Sequence, residues 1–309
     1  MSTMNRREFR AMNADCLILA AADDAVGECE VSRAVQVVHC YERKFSRFLE
    51  DSELSRLNND ERDEVPVSRE LAAIVSRAIY YAELTNGVFD PVVLRELRAL
   101  GYDRSFELVE RDAAAAKPVP RTYTWRDVYV DRTRHVVNRP AGAMIDLGGL
   151  AKGAAADAAL GQLAHFPGAL VDLGGDVRVN GQPEGFDAWN VGYDDATGEQ
   201  RAILSFHDAA VATSSTAKRR WNRGGQPVHH IIDPRTGASA DTNVAQCSVI
   251  ADTTEHAEVG AKLGLILGAG SISERDDIAV VLGLRGVAWN TNDNEYVATE
   301  GWKESCAVQ

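Results

Sequence analysis

Helical stretches and short apolar runs alternate along this chain without a strict strand–helix–strand rhythm. That pattern constrains the fold most, because a doubly wound parallel sheet needs the regular rhythm; the irregular one predicts an α+β fold. Val31, Ala34, Val35, Val38 and Tyr41 recur at helical spacing over residues 26–45. Leu71, Ile74, Val75, Ala78, Ile79 and Ala82 mark a second amphipathic helix, closed by Asn86-Gly87. A third opens near Gly149 and runs through the alanine-rich residues 151–163, and a fourth covers 255–267. Strands are expected at 14–22, 127–131, 135–138, 169–173, 176–179, 188–193, 201–206, 209–213 and 244–250. Further strands at 278–283, 287–290 and 295–298 are expected to close the sheet.

At 309 residues the chain suffices for one large domain or two lobes. Ala113–Pro120 is the best linker candidate and sets an expected lobe junction near 113–120. A net charge of −13 argues against a nucleic-acid surface or an anionic membrane surface. An anionic ligand would need a local pocket of donors. Cys16, Cys29, Cys40, Cys247 and Cys306 show no CxxC pair, as expected of reduced thiols. Arg6-Arg7-Glu8-Phe9 superficially resembles a twin-arginine export signal, but residues 11–20 are too polar for the apolar core of one. No run of membrane length follows. The expected location is the cytoplasm.

The segment Val228-His229-His230-Ile231-Ile232-Asp233-Pro234-Arg235-Thr236-Gly237 carries the most chemistry. In a strand, residues two apart share a face, so His230 and Ile232 are expected on one face and His229, Ile231 and Asp233 on the other. A titratable group would thus reach a loop mouth, although a buried strand ending in an ordinary turn fits the same residues. Asp146-Leu147-Gly148-Gly149-Leu150-Ala151-Lys152-Gly153 places two glycines before a helix start, where unpaired N–H groups suit an anion. Lys152 there opposes the helix dipole unless a carboxylate or a bound anion compensates, which favours a functional lysine. The segment is neither a P-loop nor a GxGxxG fingerprint. Leu173-Gly174-Gly175-Asp176 reads best as a plain turn, and Thr213-Ser214-Ser215-Thr216 equally as ligand donors or as a hydroxyl turn. Gly87-Val88-Phe89-Asp90-Pro91 and the run from Phe48 to Asn58 read as local capping when taken singly.

Taken in order, these pieces resemble the ApbE family. The motifs run Phe45-Ser46-Arg47-Phe48, Ser52-Glu53-Leu54-Ser55-Arg56-Leu57-Asn58, Gly87-Val88-Phe89-Asp90-Pro91 and Leu100-Gly101-Tyr102-Asp103. Asp146 to Gly153, Leu173 to Asp176, Val211-Ala212-Thr213-Ser214 and His229 to Gly237 complete the series. The resemblance spans roughly residues 11–300, leaving 1–10 and 301–309 as expected tails. It implies an α+β mixed-sheet fold with a flavin-binding cleft between two lobes. It also implies transfer of the FMN half of FAD to a Ser/Thr hydroxyl of an acceptor protein, with AMP released. In this resemblance His230 corresponds to the catalytic histidine, with an ordinary pKa of about 6.5 suited to accepting a proton near neutrality. Met12, Asn58, Phe89, Asp90, Gly148, Gly149, Lys152, Ser214 and Lys262 are the expected cofactor contacts. Asp233 and Arg235 are expected to hold their loop.

Two departures matter. The family's early Met-Gly-Thr is Met12-Asn13-Ala14 here, which bears on how closely a flavin ring approaches the backbone. The family's magnesium-binding aspartate and threonine, four residues apart on the fourth helix, correspond to Glu258 and Lys262. Glu258 can ligate magnesium, whereas a lysine is a cation with no acceptor. In the preferred reading Lys262 replaces part of the metal's charge. In the other, Glu258 and Lys262 form only an i,i+4 pair, worth about 0.3–0.5 kcal/mol on an exposed face. The cleft would then bind FAD without efficient transfer. An FAD pyrophosphatase, with water as nucleophile, is the third function compatible with these residues.

Overall fold

Eight strands lie side by side in chain order: Asn5–Ala11, Ala14–Ala20, Gly168–Leu173, Val177–Gly181, Ala209–Ser215, Val244–Ala251, Leu284–Thr291 and Tyr296–Ala298. Every neighbouring pair is antiparallel. This computed structural model describes residues 4–22, 25–115, 120–183, 185–273 and 275–307. The chain divides into two units: Met1–Glu42, Lys152–Ser215 and Thr242–Gln309 form the first, and Arg43–Ala151 with Thr216–Asp241 the second. The eight-stranded sheet belongs to the first.

Two of its turns have both central residues at positive φ, Met12-Asn13 at 52° and 58° and Gly174-Gly175 at 73° and 95°. That geometry matches the twist of an antiparallel pair. Glycine adopts it without a side-chain clash, and asparagine is among the few other residues that visit it routinely. Asn13 therefore meets the backbone requirement that a glycine would meet.

The sheet is covered on both faces, which explains why Gly168–Leu173 reads as an unbroken apolar run. Ala169, Val171 and Leu173 join Ile18, with Val31, Ala34 and Val38 of the helix Ala25–Phe45 and Ala155, Ala156 and Ala159 of the helix Ala151–Gln162. Leu170 belongs to the opposite cluster, with Val179, Trp189, Tyr193, Leu204, Phe206 and Trp302. A hairpin of Trp189–Asp194 and Gln200–Phe206 supplies much of that second layer. The helix Thr254–Leu267 begins against Ala151–Gln162. Asp157 accepts the N–H groups of Thr254 and Glu255 at 2.9 and 3.0 Å, an N-terminal cap lent by a neighbouring helix.

The second unit sets one long helix, Arg69–Leu84, among short elements. Ser52 and Ser68 cap the helices Glu53–Asn59 and Arg69–Leu84 by accepting from the N–H groups of Ser55 and Leu71. Its aromatic cluster includes Leu94, Leu97, Tyr102, Val109, Trp221 and Ile232.

The α+β expectation agrees with this architecture. Residues 5–10, expected as a tail, lie in the outer strand, and the helix Glu300–Glu304 buries Trp302 completely. The junction expected near 113–120 falls within the second unit, and 116–119 lie outside the described residues. The strand expected at 278–283 is instead the helix Asp277–Val281. Its Ile-Ala-Val-Val run suggested a strand, yet Val280 and Val281 are exposed, and the Val280 N–H bonds the Asp276 carbonyl at 2.8 Å. Acidic residues at 276 and 277 favour a helix start. No helix among the described residues is long and apolar enough to cross a membrane.

Candidate active site

The two histidines part company where their strand breaks. Gln226–His229 pairs with Arg220–Arg223, the chain bends at His230, and Ile232–Asp233 resumes pairing with Ala238–Ser239. The alternation expected over 228–233 is therefore interrupted, and His229, Ile231, Ile232 and Asp233 are all buried while His230 is half-buried. The His229 ring faces the main chain at both nitrogens, with Nδ1 3.3 Å from the Ile231 N–H and Nε2 3.1 Å from the Ala240 oxygen. The Ile231 N–H can only donate, so Nδ1 accepts and Nε2 carries the proton. Burial holds the His229 pKa below its ordinary value, with Arg220's charge acting the same way, against the Ala240 bond. His230 stands edge-on to Tyr102, ring centroids 6.0 Å apart at 79°. Asp233 receives Arg235 through Nε at 2.9 Å and Nη2 at 2.8 Å. Burial alone would raise the Asp233 carboxyl, but Arg235 brings it below its ordinary value. These two residues hold the turn that Gly237 closes at φ 72°.

Also in the second unit, the loop before Ala151 is anchored by its neighbours. Asn58 donates to the Ile145 oxygen and accepts from the Ile145 N–H, both at 2.8 Å. The Asp146 N–H reaches the Pro91 oxygen at 2.7 Å, and Arg47 Nε lies 2.8 Å from the Asp146 carboxylate. Gly148 is exposed and Gly149 buried. Neither has positive φ, so what these glycines offer is bare main chain. Phe89 is buried edge-on to Tyr81, its N–H on the Thr85 hydroxyl at 3.0 Å. Asp90 accepts from Val92 N–H at 2.8 Å and pairs with Arg121. Burial raises its carboxyl despite that pair. Asn58, Phe89 and Asp90, expected as flavin contacts, thus also frame the unit.

In the first unit Lys152 opens the helix Ala151–Gln162 with its ammonium on Asp176, whose side chain is 2% exposed. A carboxylate therefore resolves the conflict between this lysine and the helix dipole. The Glu258 side chain is buried, and its Oε2 accepts the Gly153 N–H at 2.9 Å. Burial, reinforced by the charge of Asp176, pushes its pKa up to about 8 against Lys152, the Gly153 bond and Lys262. An exposed i,i+4 pair of Glu258 and Lys262 is thereby corrected, since Glu258 lies in the interior. Ser214 pairs with Cys247 on the central sheet and is half-buried. The Met12 N–H donates to Glu42 Oε1 at 2.6 Å, tying the positive-φ turn to the first helix.

Of the two positions where the family pattern calls for metal ligands, Glu258 keeps a carboxylate, whose Oε2 accepts the Gly153 N–H, and Lys262 offers a cation no acceptor; no cluster of three His, Cys, Asp or Glu suited to a metal occurs among the described residues.

An eight-stranded antiparallel sheet layered by helices, joined to a second unit bearing a paired-histidine turn, defines an α+β architecture with candidate anion donors. The chain matches the model of the ApbE family over residues 12–281 and belongs to that family. An FAD:protein FMN transferase of Treponema pallidum is 34% identical over 242 residues, 71% of this chain and 66% of that protein. Another of Rhodobacter capsulatus is 32% identical over 235 residues, 74% of this chain and 44% of that one. The chain thus spans less than two thirds of each of these relatives. An ApbE crystal structure from Thermotoga maritima superposes with TM-score 0.84 at 24% identity, covering 99% of this chain and 100% of the other. The flavin transferase ApbE of Vibrio cholerae gives 0.77 at 19%, with the same coverage. At these identities the likeness is one of fold.

Sequence reasoning assigned no role to Asp176, Asp157, Tyr102 or Arg47. Asp176 was readable as the carboxylate that Lys152 needed, since it closes a glycine turn in the same motif series. Arg47 carried no local signal, because its partners lie at residues 102 and 146.

Proposed function

We propose that this chain is an FAD-dependent protein flavinyltransferase. The acceptor's Ser/Thr oxygen attacks the phosphorus of the FMN half of FAD, and the bond from that phosphorus to the bridging oxygen breaks. AMP leaves with the bridging oxygen, and the hydroxyl proton passes to His230. Phosphoryl chemistry of this kind is mainly positioning and charge stabilisation. Within the second unit, His230 and the bare main chain of Gly148 and Gly149 are the groups proposed to serve this step. The observation that carries the reading is the division between the imidazoles: His229 is committed to main-chain hydrogen bonds at both nitrogens, and His230 stands at the strand break. Family membership and the names of the relatives support it.

Lys262, on a buried-carboxylate helix where the family pattern calls for a metal ligand, supports transfer that does not require magnesium. A second reading, FAD binding without efficient transfer, is favoured by Lys152 being already neutralised by Asp176. The scattered thiols support a cytoplasmic site of action. Incubating the protein with FAD and a Ser/Thr acceptor peptide, in EDTA or in magnesium, tests the activity and its magnesium dependence by chromatography of AMP. AMP with labelled peptide supports the transferase. AMP with FMN indicates a pyrophosphatase, and intact bound FAD indicates the binding protein.

A further inference from the structure

We propose that Arg47 is a positioning residue for the transfer site, a single guanidinium that holds both the glycine loop and the surface against which His230 rests. The inference depends on His230 acting as the base, and every residue in it belongs to the second unit.

Arg47 is nearly buried, its side chain 6% exposed. Its Nε lies 2.8 Å from Asp146 Oδ1, at the root of Gly148-Gly149, and its Nη1 donates to the Tyr102 oxygen at 2.7 Å. The guanidinium carbon lies 4.1 Å from the centre of the Phe48 ring and 4.4 Å from that of Tyr102. A buried cation persists where its charge is paired and its N–H groups are satisfied. Here the Asp146 carboxylate pairs the charge, the Tyr102 carbonyl takes one N–H, and two ring faces cover the guanidinium.

Tyr102 transmits the constraint. Its ring meets His230 edge-on and is backed by Trp221 at 5.6 Å and Phe106 at 6.2 Å. The Trp221 indole donates to the Leu100 oxygen at 2.8 Å, which keeps that wall in place. On the other branch the Asp146 N–H is tied to Pro91. A lysine at position 47 would keep the charge but lose the planar fork whose Nε and Nη1 face Asp146 and the Tyr102 carbonyl separately.

The experiment uses Arg47→Lys and Tyr102→Leu in the full chain. It measures kcat and KM for FAD in the AMP assay, FAD Kd by fluorescence, thermal midpoint, and the His230 ring resonances assigned with His230→Gln. Arg47→Lys should lower kcat on the order of ten- to hundredfold, as misplacement of a reacting group does, weaken FAD binding, and move the His230 resonances. Tyr102→Leu should lower kcat while leaving FAD Kd within twofold. A lower midpoint with kcat and Kd unchanged in Arg47→Lys would make Arg47 merely structural and overturn the proposal. If Arg47→Lys does not fold, an unchanged kcat in Tyr102→Leu overturns it equally. If the wild type releases no AMP, the transferase reading fails by itself. The His230 resonances in Arg47→Lys then decide, movement supporting the positioning role and constancy overturning it.

Discussion

The proton on His229 Nε2 points at the Ala240 carbonyl oxygen, 3.1 Å away, inside the second unit. Charging the ring would put a proton on Nδ1, which accepts from Ile231. The folded pKa therefore lies below the unfolded value of about 6.5. Between the two values the unfolded chain binds more protons, so His229's contribution is complete above about pH 6.5 and declines as pH falls through the window below. Thermal midpoints from pH 8 to 5 should show this decline in the wild type and a shallower one in His229→Gln. Parallel curves would refute it.

His230→Ala should reduce AMP release by about 10²–10⁴-fold, the usual worth of a general base, with FAD affinity changed only slightly. Turnover assays paired with fluorescence titration check it. An intact rate with lost binding would reassign His230 to the cofactor.

Magnesium response should depend on position 262. Lys262→Thr removes the ammonium and restores an oxygen ligand, so AMP release in that variant should rise with added magnesium while the wild type responds little. Identical magnesium titrations in the two forms would remove the charge-replacement idea.

Gly153→Ala should destabilise the first unit. An added Cβ would lie 2.7 Å from the Thr254 oxygen and 2.8 Å from Glu255 Cα, main-chain atoms that cannot swing aside. Overpacking of this sort costs about 1–3 kcal/mol, measurable as a lower urea midpoint. Asp157→Ala should cost about 0.5–2 kcal/mol by removing the cap it lends to the helix Thr254–Leu267.

Much of the fold could be read from periodicity. The helices Ala25–Phe45, Arg69–Leu84, Ala151–Gln162 and Thr254–Leu267 each have an expected counterpart, because an apolar stripe and a cap are local properties. The strand Asn5–Ala11 was not legible, since Arg6, Arg7, Glu8 and Arg10 are exposed and it presents little apolar alternation. Asp277–Val281 was misread for the converse reason: β-branched residues there are exposed on a short helix.

Local chemistry also sufficed to single out the glycine turns and the paired histidines, since residue type and spacing are written along the chain, whereas Lys262 stood out only against the pattern of the family that the chain resembles. Which imidazole is buried, which carboxylate neutralises Lys152, and how Arg47 ties residue 102 to residue 146 depend on contacts between segments far apart in sequence. Burial and charge pairing are properties of those assembled surroundings. They shift a carboxyl such as Glu258 or a ring such as His229 only once the segments have met.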